Sequence, residues 1–392
     1  MPLATPRPGA RLRVMLAALA ALWLALAIAT DGVFLSPRNL VNLAVQASAV
    51  GVMATGMVLV IVARHIDLSV GSVLGFAGMV IAALQVEGAS AAAPLPWPVT
   101  AGFGVALAAA IGAWHGAWVA YARVPAFVVT LAGLLVFRGA AWLVSDGRTL
   151  APLDESYTRL GGGLHGAIGA TASWLVAAAI AVALCASRLA ARRRAGAAGL
   201  ATRSAAADAL AVALPAAAVV AFVAVANAVP ARGGAAVGLP VPVLVLGAVA
   251  FGVDRLAKRS RFGRHVFACG GDPRAAELAG IDVRGVTLRA FALLGALAGV
   301  AAVLTTARLG AGTNSMGTLT ELSVIAAAVL GGTSLAGGAG SVGGAVLGAL
   351  WMQSLENGMV LLDVTSALRQ VAIGLILLVA AAADARWRER TS

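Results

Sequence analysis

The chain is a succession of long apolar runs separated by short polar breaks. The runs lie near 14–28, 40–63, 68–86, 99–120, 125–145, 167–187, 208–229, 239–256, 288–306, 321–336, 342–362 and 367–385. Most of them approach or exceed the roughly 20 apolar residues that a membrane-crossing helix needs. They are unbroken in Ala, Leu, Val and Gly, whereas a membrane β-barrel would show short alternating segments. The pattern predicts an all-α polytopic membrane protein with about 10–12 transmembrane helices, organised as one transmembrane domain over 1–392. The two runs that flank the Gly-rich stretch at 331–344 are read as broken or re-entrant helices.

Composition narrows the class further. Hydrophobic residues make up 61% of the 392 and charged residues 11%, against roughly 45–50% and 25% in an ordinary soluble domain. A soluble enzyme, a disordered chain and a disulfide scaffold are excluded, the last because Cys185 and Cys269 are the only cysteines.

The net charge of +12 suggests nucleic acid until the charges are placed. One basic residue is Lys258; the others are arginines at the ends of apolar runs. If the N-terminus is cytoplasmic and every run crosses, 21 of the 28 basic residues fall on the cytoplasmic side and six outside, with Arg138 inside a run. That is the bias expected of cytoplasmic loops. It predicts both termini in the cytoplasm and accounts for the charge without a nucleic-acid partner. Arg7, Arg11 and Arg13 before the first run also fit a signal peptide, but the membrane-embedded remainder favours a retained first span.

Catalytic signatures are missing. Gly338-Ala339-Gly340-Ser341-Val342-Gly343 matches GxGxxG, but both flanks are membrane runs rather than a strand and a soluble helix. Gly340, Gly344 and Gly348 are better read as small residues at four-residue spacing that let helices approach and slide. A phosphate-binding P-loop needs Gly-Lys-Ser/Thr, and the only lysine lies in Ala257-Lys258-Arg259. Any ATP-driven step therefore requires a separate ATPase chain. His65, His115, His165 and His265 show no metal-ligand spacing. No catalytic residue, cofactor or metal ligand is assigned.

Polar groups inside apolar runs are the better clues, since a central charge costs about 2.5–3.5 kcal/mol on insertion scales. These are Asn42, Gln46, Asp67, His115, Arg138, Glu321, Gln353, Glu356, Asn357 and Asp363. Each either joins helices by hydrogen bonding or lines a pathway. Asp67-Leu68-Ser69-Val70 recurs as Glu321-Leu322-Ser323-Val324, each opening a Gly-containing run. An acid followed by Ser in the first turn would satisfy free N–H groups and suit the positive end of the helix dipole. Two such starts, Asp67 on the cytoplasmic side and Glu321 outside, fit the inverted, discontinuous helices of transporters. Asp67, Ser69, Glu321, Ser323 and Asn357 are the candidate translocation-path residues.

Two cytoplasmic breaks are long. The stretch 188–207 reads as a plain basic connector. The stretch 257–287 holds a turn at Gly270-Gly271-Asp272-Pro273 and then a short helix to Gly280, with Asp272 as N-cap and Pro273 at N1. It is either a structured connector or a docking element.

Several segments resemble a known family. Arg64-His65-Ile66-Asp67-Leu68-Ser69-Val70-Gly71-Ser72, Val124-Pro125-Ala126-Phe127-Val128-Val129-Thr130-Leu131 with Phe137-Arg138-Gly139, and Arg308-Leu309-Gly310-Ala311-Gly312 resemble permease segments of ribose/xylose-type sugar ABC importers. So do the loop from Gly270 to Ile281, the run from Ala326 to Gly344, and Leu355-Glu356-Asn357-Gly358-Met359. Arg64-His65 departs from the usual Gly-Gly, which leaves the local backbone open. Extra sequence near 166–235, and the total length, resemble the xylose-type subgroup.

The resemblance implies a permease subunit of the bacterial inner membrane that carries a monosaccharide, D-xylose first, by alternating access. It also implies partners: a cytoplasmic ABC ATPase, a periplasmic or extracellular sugar-binding protein, a second permease copy and surrounding lipid. Asp272, Pro273, Ala275, Ala276, Glu277, Ala279, Gly280 and Ile281 would form the ATPase-coupling segment within 257–287. The alternatives are a branched-chain amino-acid ABC permease and an ion-coupled secondary transporter.

Overall fold

The computed structural model describes residues 9–89, 93–163, 166–199, 204–230 and 236–389. His165 and the terminal or loop arginines Arg7, Arg203, Arg232 and Arg390 lie outside the described residues. The helices are α1 (Gly9–Ala29), α2 (Pro37–Val62), α3 (Val70–Gln85), α4 (Trp97–Ala120), α5 (Ala126–Leu143), α6 (Glu155–Thr158), α7 (Ala170–Ala197) and α8 (Ala205–Asn227). They continue with α9 (Val241–Arg259), α10 (Arg261–Gly271), α11 (Pro273–Leu278), α12 (Val283–Leu309), α13 (Thr320–Leu330), α14 (Val342–Leu361) and α15 (Ser366–Glu389). The twelve apolar runs become twelve of these helices, and α6, α10 and α11 fall in the breaks. Among the described residues seven helices, α2, α4, α5, α7, α8, α12 and α15, are each long and apolar enough to cross a membrane. Among the described residues there are isolated β-bridges, such as Leu150 with Gly312, but no strand.

Three boundaries differ from the sequence reading. The α7 helix runs through Arg188–Arg194 to Ala197, so most of the expected connector is helix; Arg and Ala are both strong helix formers. The 257–287 stretch is largely helical, and Gly270-Gly271 end α10 rather than forming the turn. Finally, α13 stops at Leu330, where Gly331 and the left-handed Gly332 (φ 90°) turn the chain away. At about 1.5 Å per residue its 11 residues span roughly 16 Å, half of a ~30 Å hydrocarbon core.

Burial orders the helices into layers. The most apolar window of α2 is 89% buried, so this helix, apolar on every side, is the central pillar. Beside it α12 crosses α4, where Gly112 and Gly116 face Phe291 and Leu288, and Gly295 and Gly299 face Ala108 and Val105. Only small residues permit so close an approach. Least buried of the seven long apolar helices are α7, α8 and α15, with 6%, 11% and 12% of their apolar windows buried. The first run is built into the bundle: Trp23 Nε1 donates to Ser354 Oγ at 2.9 Å, and Leu26 packs on Gly358 of α14.

Several of the breaks meet one another in two groups. At one end the α2–α3 break meets the end of α10 and the turn before α14. This end carries Arg64, Arg123 and the arginines of α10 and α11, and it is called the basic face below. At the opposite end Leu150 and Leu153 bond to Gly312 and Gly310, and Ile168 bonds to Leu239.

Candidate translocation core and coupling segment

The two acid-Leu-Ser-Val strings come together, though not as helix caps. Asp67 lies three residues ahead of α3, and its Oδ1 accepts from Ser69 N (2.7 Å) and Ser69 Oγ (2.6 Å). The Ser69 hydroxyl is thus spent on the carboxylate and does not cap α3. In α13 the N-cap is Leu319, at φ 58°, and Glu321 sits inside the first turn. Ser323 likewise donates to Glu356 at 2.6 Å instead of capping. The expected capping role therefore fails at both serines, because a carboxylate, buried Asp67 or half-buried Glu356, stands within reach of each hydroxyl.

The N-termini of α3 and α13 nonetheless converge. A Cβ on Gly71 would lie 2.2 Å from Glu321 Oε2 and 2.4 Å from Gly317 O. The segment between α12 and α13 re-enters along α3, with Gly312 against Ala82 near one end and Gly317 against Gly71 at the other. Arg138 of α5 holds it there, donating from Nη1 to Met316 O at 2.8 Å and to Asn314 O at 3.3 Å. Helix dipoles place positive ends where the two starts meet, and carboxylates stand beside both.

His115 joins this cluster from α4. It is fully buried, its Nδ1 lies 3.4 Å from Ser69 Oγ, and its ring presses on Gly133, where a Cβ would meet Nε2 at 2.2 Å. His115 Nε2 and Glu321 Oε2 have no hydrogen-bond partner among the described residues. Sequence reading found His115 only as one polar residue among ten. Its place beside Asp67 and Ser69 follows from the packing of α3 against α4.

Asp67, Ser69, Glu321, Ser323 and Asn357 are all buried, at 5% exposure or less. Asp67, Ser69 and Glu321 share one cluster. Asn357 lies apart: it exchanges side-chain amide hydrogen bonds with Asn39 at 2.9 and 3.1 Å, tying α14 to the start of α2. On the other side of α14, Gly344 and Gly348 seat on Gly331 O and Ala327 O of α13, where a Cβ on either would lie at 2.0 Å.

The segment 272–281 forms a capped knob on the basic face. Asp272 Oδ1 accepts from Arg274 N (2.9 Å) and Ala275 N (3.1 Å), Pro273 is the first residue of α11, and Gly280 at φ 80° ends the turn. Asp272, Ala275, Glu277, Ala279 and Gly280 are exposed, Pro273 and Ile281 are half-buried, and Ala276 is buried as the seat of the helix. Leu278, absent from the sequence-derived set, is 90% exposed. Its signal was a leucine in a short helix whose apolar neighbours are mostly alanines. A cavity of about 520 Å³ opens where the α2–α3 and α4–α5 breaks meet, between Arg64, His65, Arg123, Pro125 and Phe127. Among the described residues no group of three His, Cys, Asp or Glu is placed to hold a metal ion.

Comparison with known proteins gives a consistent picture. Residues 39–381 match the family model described as branched-chain amino acid transport system / permease component. The chain is 39% identical over 378 residues to the xylose transport system permease protein XylH of Escherichia coli K12, covering 96% of this chain and 92% of that one. It is 40% identical over 367 residues to XylH of Haemophilus influenzae, covering 94% of each. The ribose import permease protein RbsC of E. coli K12 is 31% identical over 351 residues, 90% of this chain and 87% of its own. No solved structure matches.

Proposed function

The chain belongs to the transport-system permease family that its residues 39–381 match, and on that premise we propose that it forms the membrane path of an ATP-driven monosaccharide importer, with D-xylose as substrate. The observation that carries the reading is the 39–40% identity to two xylose permeases over more than nine-tenths of each chain. The protein is a multi-pass transport component of the bacterial inner membrane. In the proposed assembly two copies stand side by side, a sugar-binding protein docks on the outer face, and the basic face, with both termini, lies in the cytoplasm. Lipid covers α7, α8 and α15.

In this reading ATP is hydrolysed by a separate chain, whose surface receives α11, with Leu278 as the apolar anchor and Glu277 at its rim. Motion of that knob is passed to the half-helices α3 and α13. Their N-termini, closed on each other at Gly71 and Glu321, separate to open the path through Asp67, Ser69 and the neighbouring polar groups. A cluster of carboxylates, hydroxyls and an imidazole suits transient hydrogen bonding to sugar hydroxyls.

The second reading, a branched-chain amino acid, rests on the description of the family model. Cells lacking their own pentose and leucine importers, supplied with this permease and its partner subunits, separate the two. Uptake of labelled D-xylose that excess leucine does not compete supports the sugar; uptake of labelled leucine alone overturns it.

A further inference from the structure

Arg64 stands where the resembling segments carry glycine, and the structure shows what it does there. Its backbone is left-handed, at φ 67°, a conformation that favours glycine over a long side chain. From it the guanidinium crosses to the end of α10, where Nε donates to Gly270 O at 2.8 Å and Nη2 to Gly271 O at 2.6 Å. Carbonyls at a helix C-terminus lack intrahelical partners and carry partial negative charge, so a forked cation suits them. Glycines make the junction possible. A Cβ on Gly270 would lie 1.9 Å from Val62 O, and one on Gly337 would lie 2.4 Å from Arg64 Cγ. Gly338 N also donates to Val62 O at 3.0 Å. The end of α2, the end of α10 and the turn before α14 thus meet around one side chain.

The connections on either side are short and hydrogen-bonded. Asp272, next to Gly271, caps α11. On the other side Asp67, three residues beyond Arg64, holds Ser69 at the start of α3. We propose that Arg64 is the positioning residue that couples the knob at α11 to the base of α3, so that displacement of α11 by the ATPase pulls the α2–α3 break and moves the closed N-terminus of α3. The inference rests on the reading of α11 as the ATPase-docking segment.

The test uses the assembled complex of permease, ATPase and binding protein in liposomes, and reads sugar moved per ATP hydrolysed. Arg64→Gly removes the side-chain link while relaxing the left-handed backbone, so folding is spared. The ratio should fall about fivefold or more, with ATPase co-purification and thermal stability held or improved. Arg64→Lys, which retains one donor at the same backbone angle, should fall in between. A ratio unchanged in Arg64→Gly overturns the proposal. So does a variant that loses stability, uptake and hydrolysis in proportion, since that is a purely structural role. Leu278→Glu tests docking separately: if the ATPase still co-purifies with it, the docking reading fails, whatever Arg64→Gly does to the ratio.

Discussion

The contact between the starts of α3 and α13 allows a quantitative prediction. In Gly71→Ala the new methyl carbon would lie 2.4 Å from Gly317 O and 2.2 Å from Glu321 Oε2. The carboxylate can rotate away, but the Gly317 carbonyl is backbone, at φ 70°, and is pinned by the neighbouring Arg138 bond to Met316 O. It must retreat by about 0.6 Å to reach the 3.0 Å below which side-chain carbons are essentially never found. Overpacking of this kind costs about 1–3 kcal/mol, roughly a 5- to 140-fold shift in population at 1.4 kcal/mol per tenfold. If the two N-termini part during transport, the cost falls on the closed state alone and the open state gains that population.

The assay is the labelling rate of Ser72→Cys by a small polar maleimide in a background without Cys185 and Cys269. Ser72 is fully buried one residue beyond Gly71, and its hydroxyl bonds to Ser69 O, so the cysteine should label slowly in the closed state. Adding Gly71→Ala should speed labelling at least about fivefold. An unchanged rate, in protein that retains its thermal stability, would refute separation of α3 from α13 as the opening step.

Other outcomes follow from the same geometry. Arg138→Met should leave the Met316 and Asn314 carbonyls without their charged donor and cost about 1.5–3 kcal/mol, seen as a lower melting temperature in detergent; Arg138→Lys should recover part of it. Gly348→Val places a side chain 2.0 Å from Ala327 O and should block uptake while Gly343→Ala, with nothing within 4 Å, leaves it intact. Leu278→Glu and Glu277→Arg should each lower ATPase co-purification, Leu278→Glu the more, and retention of the ATPase by Leu278→Glu would count against docking at α11. Burial pushes the Cys269 thiol above the ordinary cysteine range, so in a Cys185→Ala chain its alkylation rate should still be climbing at the pH where that of a free cysteine has levelled off; a plateau at or below the free-cysteine pH would contradict that burial.

The large plan was legible because membrane helices announce themselves through unbroken apolar length, and each of the twelve runs became a helix. Loops that the alternation assigned to one side, such as those holding Arg64 and Gly270, touch each other in the structure. Local capping was not legible. Ser69 and Ser323 looked like caps by spacing, but Asp67 two residues back and Glu356 across on α14 offer these hydroxyls a carboxylate, and the stronger acceptor won. The extent of α7 was misjudged because arginine marks the membrane boundary without ending a helix. Asn357 drew notice as a polar group in an apolar run, yet its partner Asn39 makes it a brace between α14 and α2. His115 and Leu278 acquire meaning only from what lies, or does not lie, around them.

The most direct measurement is transport by purified components. Liposomes holding this permease with its ATPase and sugar-binding protein should take up labelled D-xylose only when ATP is supplied to the ATPase side, and none when the ATPase is omitted. Uptake by the permease alone along an ion gradient, or ATP-driven uptake of leucine with no uptake of xylose, would contradict the account.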